Sequence, residues 1–220
     1  SDVQMLFAIG HGLDTKTADA VSALSDISII TVDRGIALRE SVEEEEGPTD
    51  PHYWLHFDNA RAMVKTIADA LSERDPSHAA EYRKNADEFN EQLVRDEEEF
   101  RVALTSFRNR SLVVFHDAWF YFADNMGVDI AGAFEPFVAE EPTPRHLVEL
   151  KKIISEKNIT AIFVEPQISS SGIQGFAEEN NLAILTLDPL GGTAGKMTYR
   201  ELMRYNVSEV IRSFTEGPMP

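Results

Sequence analysis

Residues 50–57 read DPHYWLHF, so His52 and His56 stand four positions apart, and the acidic run Glu43, Glu44, Glu45 and Glu46 lies just upstream. Imidazoles at that spacing share one face of a helix and can chelate a single ion, as in the HExxH pattern. The residue after His52 is Tyr53 rather than the glutamate a metalloprotease needs, so that chemistry does not apply. With Asp50-Pro51 opening a helix, His52 falls in its first turn and is the candidate ligand, while His56 reads as a surface or supporting residue. The run of Glu43, Glu44, Glu45 and Glu46, closed by Gly47-Pro48, has two readings. It is a solvated loop, or a flexible metal-attracting arm that concentrates divalent cations without caging them.

Three apolar segments in the second half end in an ionisable residue: VVFH in His116, IFVE in Glu165 and LTLD in Asp188. In parallel α/β sheets the ligand crevice lies outside the carboxyl ends of the strands, so these side chains are expected on one rim. Glu165-Pro166 and Asp188-Pro189 share a further feature, since the proline stops each strand and turns the chain. Read structurally, the same acids cap turns and His116 packs at a helix start. Their convergence on one rim favours the ligand-binding reading.

Positioning these residues takes an alternating fold. VQMLFAIG (3–10) and ISIITV (27–32) read as buried strands around a helix at 14–24, a β-α-β unit. A helix beginning at Asp50-Pro51 runs to Asp75-Pro76, which ends it and opens the next. From Pro76 to Phe107 the positions Tyr82, Ala86, Phe89, Leu93, Phe100 and Phe107 form an apolar stripe. That predicts one helix of about 30 residues and about 45 Å, long enough to bridge two lobes. Beyond it, strands SLVVFH, AGAFEPF, ITAIFVE and LAILTLD alternate with helices, the pattern of a parallel sheet covered on both faces. The expected organisation is an N-terminal α/β lobe over 1–75, a connecting helix over 76–107 and a C-terminal α/β lobe over 108–220. A sheet beginning at Val3 would be incomplete, so part of the first lobe is expected upstream of Ser1.

Composition narrows the ligand. Against 38 Asp plus Glu there are 20 Lys plus Arg, a net charge of −18 that disfavours nucleic acid and anionic membrane and suits a cation. With no cysteine, a disulfide framework or thiolate cage is impossible, and a transition-metal site must use His, Asp and Glu. No stretch approaches the roughly 18 apolar residues of a membrane span.

The segments DPHYWLHFDNARAMVKTIADALSERDP, VVFHDAWFYFADNMGVD, EEPTPRHLVELKKIISEKNITAIFVEPQ and LTLDPLGG, in this order, resemble the metal-binding solute-binding proteins of zinc and manganese ABC transporters. The likeness runs from VQMLFAIGHGLD to the last helix. It implies two α/β lobes joined by one long rigid helix, with a metal held between them. It carries ligand roles onto His52, His116 and Asp188. Manganese-selective relatives commonly have a carboxylate where this chain has His116, so the resemblance implies zinc rather than manganese, in keeping with an imidazole-rich donor set.

Family members take a first histidine from upstream of the strand that VQMLFAIG resembles. Here either that segment precedes Ser1 or His11 or an acid substitutes. Glu165 would orient a ligand imidazole or close the rim. The resemblance thus implies a non-enzymatic, monomeric zinc carrier, periplasmic or extracellular and membrane-anchored by a segment outside this sequence, that delivers its ion to an ABC permease. Two other readings use the same residues. One is a zinc hydrolase with Glu165 as general base toward metal-bound water, and the other is a metal-binding surface adhesin.

Overall fold

The structure is a computed structural model that describes residues 3–24, 27–41, 48–107, 110–135, 142–168 and 172–215. The metal-attracting loop expected at Glu43, Glu44, Glu45 and Glu46 lies outside the described residues. The chain divides into two compact units, Ser1–Arg95 and Asp96–Pro220.

In the first unit MLFA and SIIT form β1 (Met5–Ala8) and β2 (Ser28–Thr31), with α1 (Thr15–Leu24) between them. The strands pair parallel, Leu6 opposite Ile29 and Phe7 opposite Ile30, so the β-α-β unit is present as expected. After β1 the chain turns through Gly10, His11 and Gly12, with φ of 80°, 55° and 94°. Glycine takes this left-handed geometry without a Cβ penalty, and a Cβ on Gly10 would also meet Thr31 Cγ2 at 2.8 Å. The Asp14 carboxylate closes the turn by accepting the N–H groups of Ile9 at 2.6 Å and Gly10 at 2.8 Å.

The helix expected from Asp50 begins later than the sequence suggested. A 3-10 turn at Tyr53–Leu55 precedes α2, which spans Phe57–Arg74. Instead of capping a helix begun at Pro51, the Asp50 carboxylate folds onto the His52 N–H at 2.9 Å. The His56 imidazole supplies the cap of α2, its Nδ1 accepting the Asp58 N–H at 3.1 Å. His52 is therefore not in a helical first turn, and the two histidines do not share a helical face. Tyr53, Leu55 and Phe57 are fully buried and pin this segment, and the Tyr53 hydroxyl donates to the Ile9 carbonyl at 2.7 Å.

Asp75 ends α2, and Pro76 opens a 3-10 turn at Pro76–His78 that leads into α3 (Ala79–Ala103). Its 25 residues span about 37 Å at about 1.5 Å each, shorter than the stretch 76–107 because 3-10 turns occupy both ends, the second at Thr105–Phe107. The division between the two units falls within α3. Phe89, placed on the buried stripe by its spacing, is 43% exposed. The fully or nearly fully buried positions are Leu93, Asp96, Phe100 and Leu104, again at helical spacing.

In the second unit the alternation holds throughout. The elements are β3 (Ser111–Val114), α4 (Phe120–Met126), β4 (Asp129–Ala133), α5 (Pro144–Lys157), β5 (Ala161–Val164), α6 (Ile173–Glu179), β6 (Ala183–Thr186) and α7 (Tyr199–Thr215). β4 starts at Asp129, two residues before the segment AGAFEPF, because Asp129 and Ile130 pair with Ser111 and Leu112. The strands are parallel in the order β4-β3-β5-β6.

Val113, Phe115 and Ile162 pack with Leu150 and Ile154 of α5 and with Ile173, Phe176 and Ala177 of α6. Phe134 joins this core, stacked on Phe115 at 5.8 Å and edge-on to Phe176 at 5.4 Å. Alternation along β3 turns Leu112 and Val114 to the other side, and both are buried there too. α7 lies against β6. Its Arg200 reaches back to α3, bonding Asp96 and, at 2.7 Å, Glu99, while Arg204 adds a bond to Glu99 at 3.1 Å.

Candidate metal centre

The order β3-β5-β6 sets the ends of three neighbouring strands side by side, so His116, Glu165 and Asp188 emerge along one edge of the second unit. All three are at least 95% buried. His116 lies two residues past β3, in the turn before α4, and its Nδ1 is 2.5 Å from Glu165 Oε1. The same oxygen accepts the Trp119 indole N–H at 3.0 Å. Trp119 is fully buried and packs edge-on against Phe122 at 5.7 Å, so the carboxylate is held by a side chain that is itself packed in place. The contact is a close ion-pair approach rather than an aligned hydrogen bond, and a carboxylate beside Nδ1 leaves Nε2 as the nitrogen that can ligate.

Asp188 lies two residues beyond β6, and its backbone is clamped by Asn206 of α7. Its N–H donates to Asn206 Oδ1 and the Asn206 amide donates to its carbonyl, both at 2.9 Å. Its Oδ1 accepts from Gln167 Nε2 at 2.7 Å and from the N–H groups of Gly191 at 3.0 Å and Leu190 at 3.1 Å. Its Oδ2 accepts from the Lys196 ammonium. Burial pushes the carboxyl upward. The Lys196, Gly191, Gln167 and Leu190 donors outweigh that and hold it at about 2, so it stays ionised across the physiological range.

In the first unit His52 is 95% buried, and its Nδ1 is 2.9 Å from Asp50 Oδ1, the oxygen that also accepts its backbone N–H. Like the His116–Glu165 pair, this one sets a buried carboxylate against Nδ1, here through a hydrogen bond. His56 is half-buried, with Nδ1 engaged at the α2 cap. His11 is held at both ring nitrogens: Nε2 lies 2.9 Å from Asp33 Oδ2 and Nδ1 lies 2.8 Å from the Thr49 hydroxyl. These bonds hold a non-glycine residue at φ 55° and tie the loops after β1 and β2 to the segment before His52.

Among the described residues no group of three or more His, Asp or Glu side chains is assembled as a cage. Asp50, Trp119, Gln167, Lys196 and Asn206 contact the candidate residues, which the strand-end pattern did not reveal. Asp50 had a usable signal, since Asp readily accepts the backbone N–H two residues on in an Asx turn. Lys196, at the end of a glycine-rich turn, and Asn206, inside a helix, had none.

Buried carboxylate–imidazole pairs and a buried ionised aspartate, carried by parallel α/β units, define a protein equipped to hold a small cation. Residues 1–212 match the family described as zinc-uptake complex component A, periplasmic (ZnuA), and the chain belongs to that family. A high-affinity zinc uptake system protein ZnuA from Paracoccus denitrificans is 34% identical over 160 residues, covering 71% of this chain and 49% of the relative. The manganese-binding lipoprotein MntA of Halalkalibacterium halodurans is 29% identical over 222 residues, covering 98% of this chain and 73% of the relative. A solved structure described as the crystal structure of ZnuA superposes with a TM-score of 0.83 at 26% identity, over 100% of this chain and 81% of that one. The chain thus spans about half the length of the zinc-uptake relative, at 49%, and under three quarters of the manganese-binding one, at 73%. No helix among the described residues is long and apolar enough to cross a membrane.

Proposed function

We propose that this chain is a zinc-binding solute-binding protein that captures the ion and hands it to the membrane permease of an ABC transporter, with His52, His116 and Asp188 as ligands. The observation that supports this best is the buried His116–Glu165 pair, because metal-ligating histidines characteristically carry a carboxylate, carbonyl or water beside the other ring nitrogen. His52 has the same partner chemistry in Asp50. Two imidazoles and one carboxylate suit zinc better than manganese, which favours oxygen donors. Binding and delivery make and break coordination and hydrogen bonds but no covalent bond of a substrate, so this reading calls for no catalytic residue. It works as a monomer outside the cytoplasmic membrane, in the periplasm or at the cell surface, held there by an anchor. His11, with both ring nitrogens engaged, braces the loop before His52 and is not a ligand. The acidic run of Glu43, Glu44, Glu45 and Glu46 draws cations toward the site and does not ligate them.

Calorimetric titration with zinc and with manganese tests this, using the parent protein and the His52→Ala, His116→Ala and Asp188→Ala variants. One equivalent of zinc, bound tighter than manganese and weakened at least a hundredfold by each substitution, on the order of the 10–100-fold losses seen even for outer-shell changes, is the expected result. Unchanged affinity in any variant removes that residue from the ligand set. Turnover of ester, peptide or phosphate probes would overturn the carrier reading.

A further inference from the structure

The two oxygens of Asp188 are treated differently by the chain. Oδ1 receives three donors, two of them backbone N–H groups of the turn that follows, and cannot be released without unmaking that turn. Among the described residues Oδ2 receives only the end of one flexible side chain, the Lys196 ammonium. The carboxylate is 99% buried, and an anion so buried needs a compensating cation.

Lys196 is delivered to this position by a built turn. The Gly192 N–H donates to the Lys196 carbonyl and the Lys196 N–H donates to the Thr193 carbonyl, both at 2.9 Å. Gly191, Gly192 and Gly195 have φ of 71°, 78° and 80°, and a Cβ on Gly191 would lie 2.7 Å from the Lys196 carbonyl oxygen. Only glycine lets the chain curl this tightly. The ammonium also stands 4.5 Å from the centroid of the Tyr205 ring, so it is held between a carboxylate and an aromatic face.

We propose that Lys196 is an internal competitor for the zinc-binding oxygen of Asp188, so that loading exchanges one cation for another. This rests on the assignment of Asp188 as a ligand. Lys196 keeps the buried carboxylate compensated whenever zinc is absent, and the ion must expel it to reach Oδ2. Affinity is lowered by the strength of the bond broken, and the returning ammonium drives the ion off when it is handed on. A monovalent side chain on a glycine turn therefore sets how readily the cargo is released.

The test compares the parent with Lys196→Met, which keeps the length of the stem and removes the charge. Zinc titration and stopped-flow release to a chelator are expected to show affinity raised on the order of tenfold to a hundredfold, the range of a hydrogen bond between charged groups, with slower release. A second measurement needs no variant. In ¹⁵N-lysine protein the protected Lys196 ammonium should give a resolved Nζ signal that vanishes at one equivalent of zinc.

A variant that binds no tighter, or an ammonium signal that survives saturation, overturns the proposal. Asp188→Ala separates the two levels. If it binds zinc as the parent does, Asp188 is no ligand and both readings fall. If it binds weakly while Lys196→Met is unaltered, only the role of Lys196 falls.

Discussion

Glu165 and His116 form a buried pair across neighbouring strand ends, Oε1 to Nδ1 at 2.5 Å, and the Trp119 indole N–H donates to the same oxygen at 3.0 Å. Replacing Glu165 by Gln keeps the shape but removes the charge that faces the imidazole. Zinc affinity is expected to fall on the order of tenfold to a hundredfold, less than for His116→Ala, with the far-ultraviolet spectrum unchanged. Equal affinities for Glu165→Gln and the parent would show that Glu165 does not position the ring.

His52 and His56 separate by substitution. His52→Ala and Asp50→Asn are expected to weaken zinc binding, the second by less. His56→Ala is expected to leave zinc binding intact and to cost about 0.5–1 kcal/mol of stability, because it removes the cap acceptor of α2. Chemical denaturation beside calorimetry reads both effects. A loss of zinc affinity in His56→Ala would restore the helical chelate that its spacing first suggested.

Asp96 is fully buried on α3 and meets Arg200 of α7, whose side chain is 36% exposed. Removing the arginine leaves an anion inside, whereas removing the aspartate leaves a cation that still has Glu99 and solvent. Arg200→Met is therefore expected to destabilise by about 1–3 kcal/mol and Asp96→Asn by less. Denaturation midpoints in the reverse order would contradict this account.

Asp75 at the α2–α3 junction is held at about 2 by the Ser77 hydroxyl and by His78, with Tyr82 adding a third donor. A carboxyl depressed below its usual 3.8 stabilises the fold fully above that value, and the benefit fades as pH falls toward 2. Asp75→Asn should therefore flatten the stability profile between about pH 4 and pH 2 and leave it unchanged in shape near neutrality. Carbon NMR of the Asp75 carboxyl gives the titration directly, and a midpoint at the ordinary value would refute it.

The elements of the fold could be read almost completely, since buried parallel strands and long apolar stripes are collective signals over many residues. The rim was legible for a related reason. A strand that ends in His116, Glu165 or Asp188 places that residue by topology alone. Single side chains that act through geometry were not legible. Asp96 sits on an apolar stripe because Arg200, about a hundred positions away, comes to meet it. The helix start was misplaced because Asp50 bonds two residues ahead instead of capping a helix. Phe89 fits the stripe by spacing yet faces solvent, since periodicity marks a face but not how far along the helix that face is covered.

The three donors on Asp188 Oδ1 also limit coordination number. An oxygen saturated by two backbone N–H groups and an amide cannot turn toward an ion, so the carboxylate can offer a metal one atom and never a chelate. Large hard cations that fill seven or eight positions often take a carboxylate through both oxygens, as in the bidentate glutamate of a calcium loop. With Asp188 as the ligand proposed above, locking one oxygen in a turn would keep the donor count low, near the four that a tetrahedral ion accepts, and would discriminate between metals through denticity as well as through the choice of histidine.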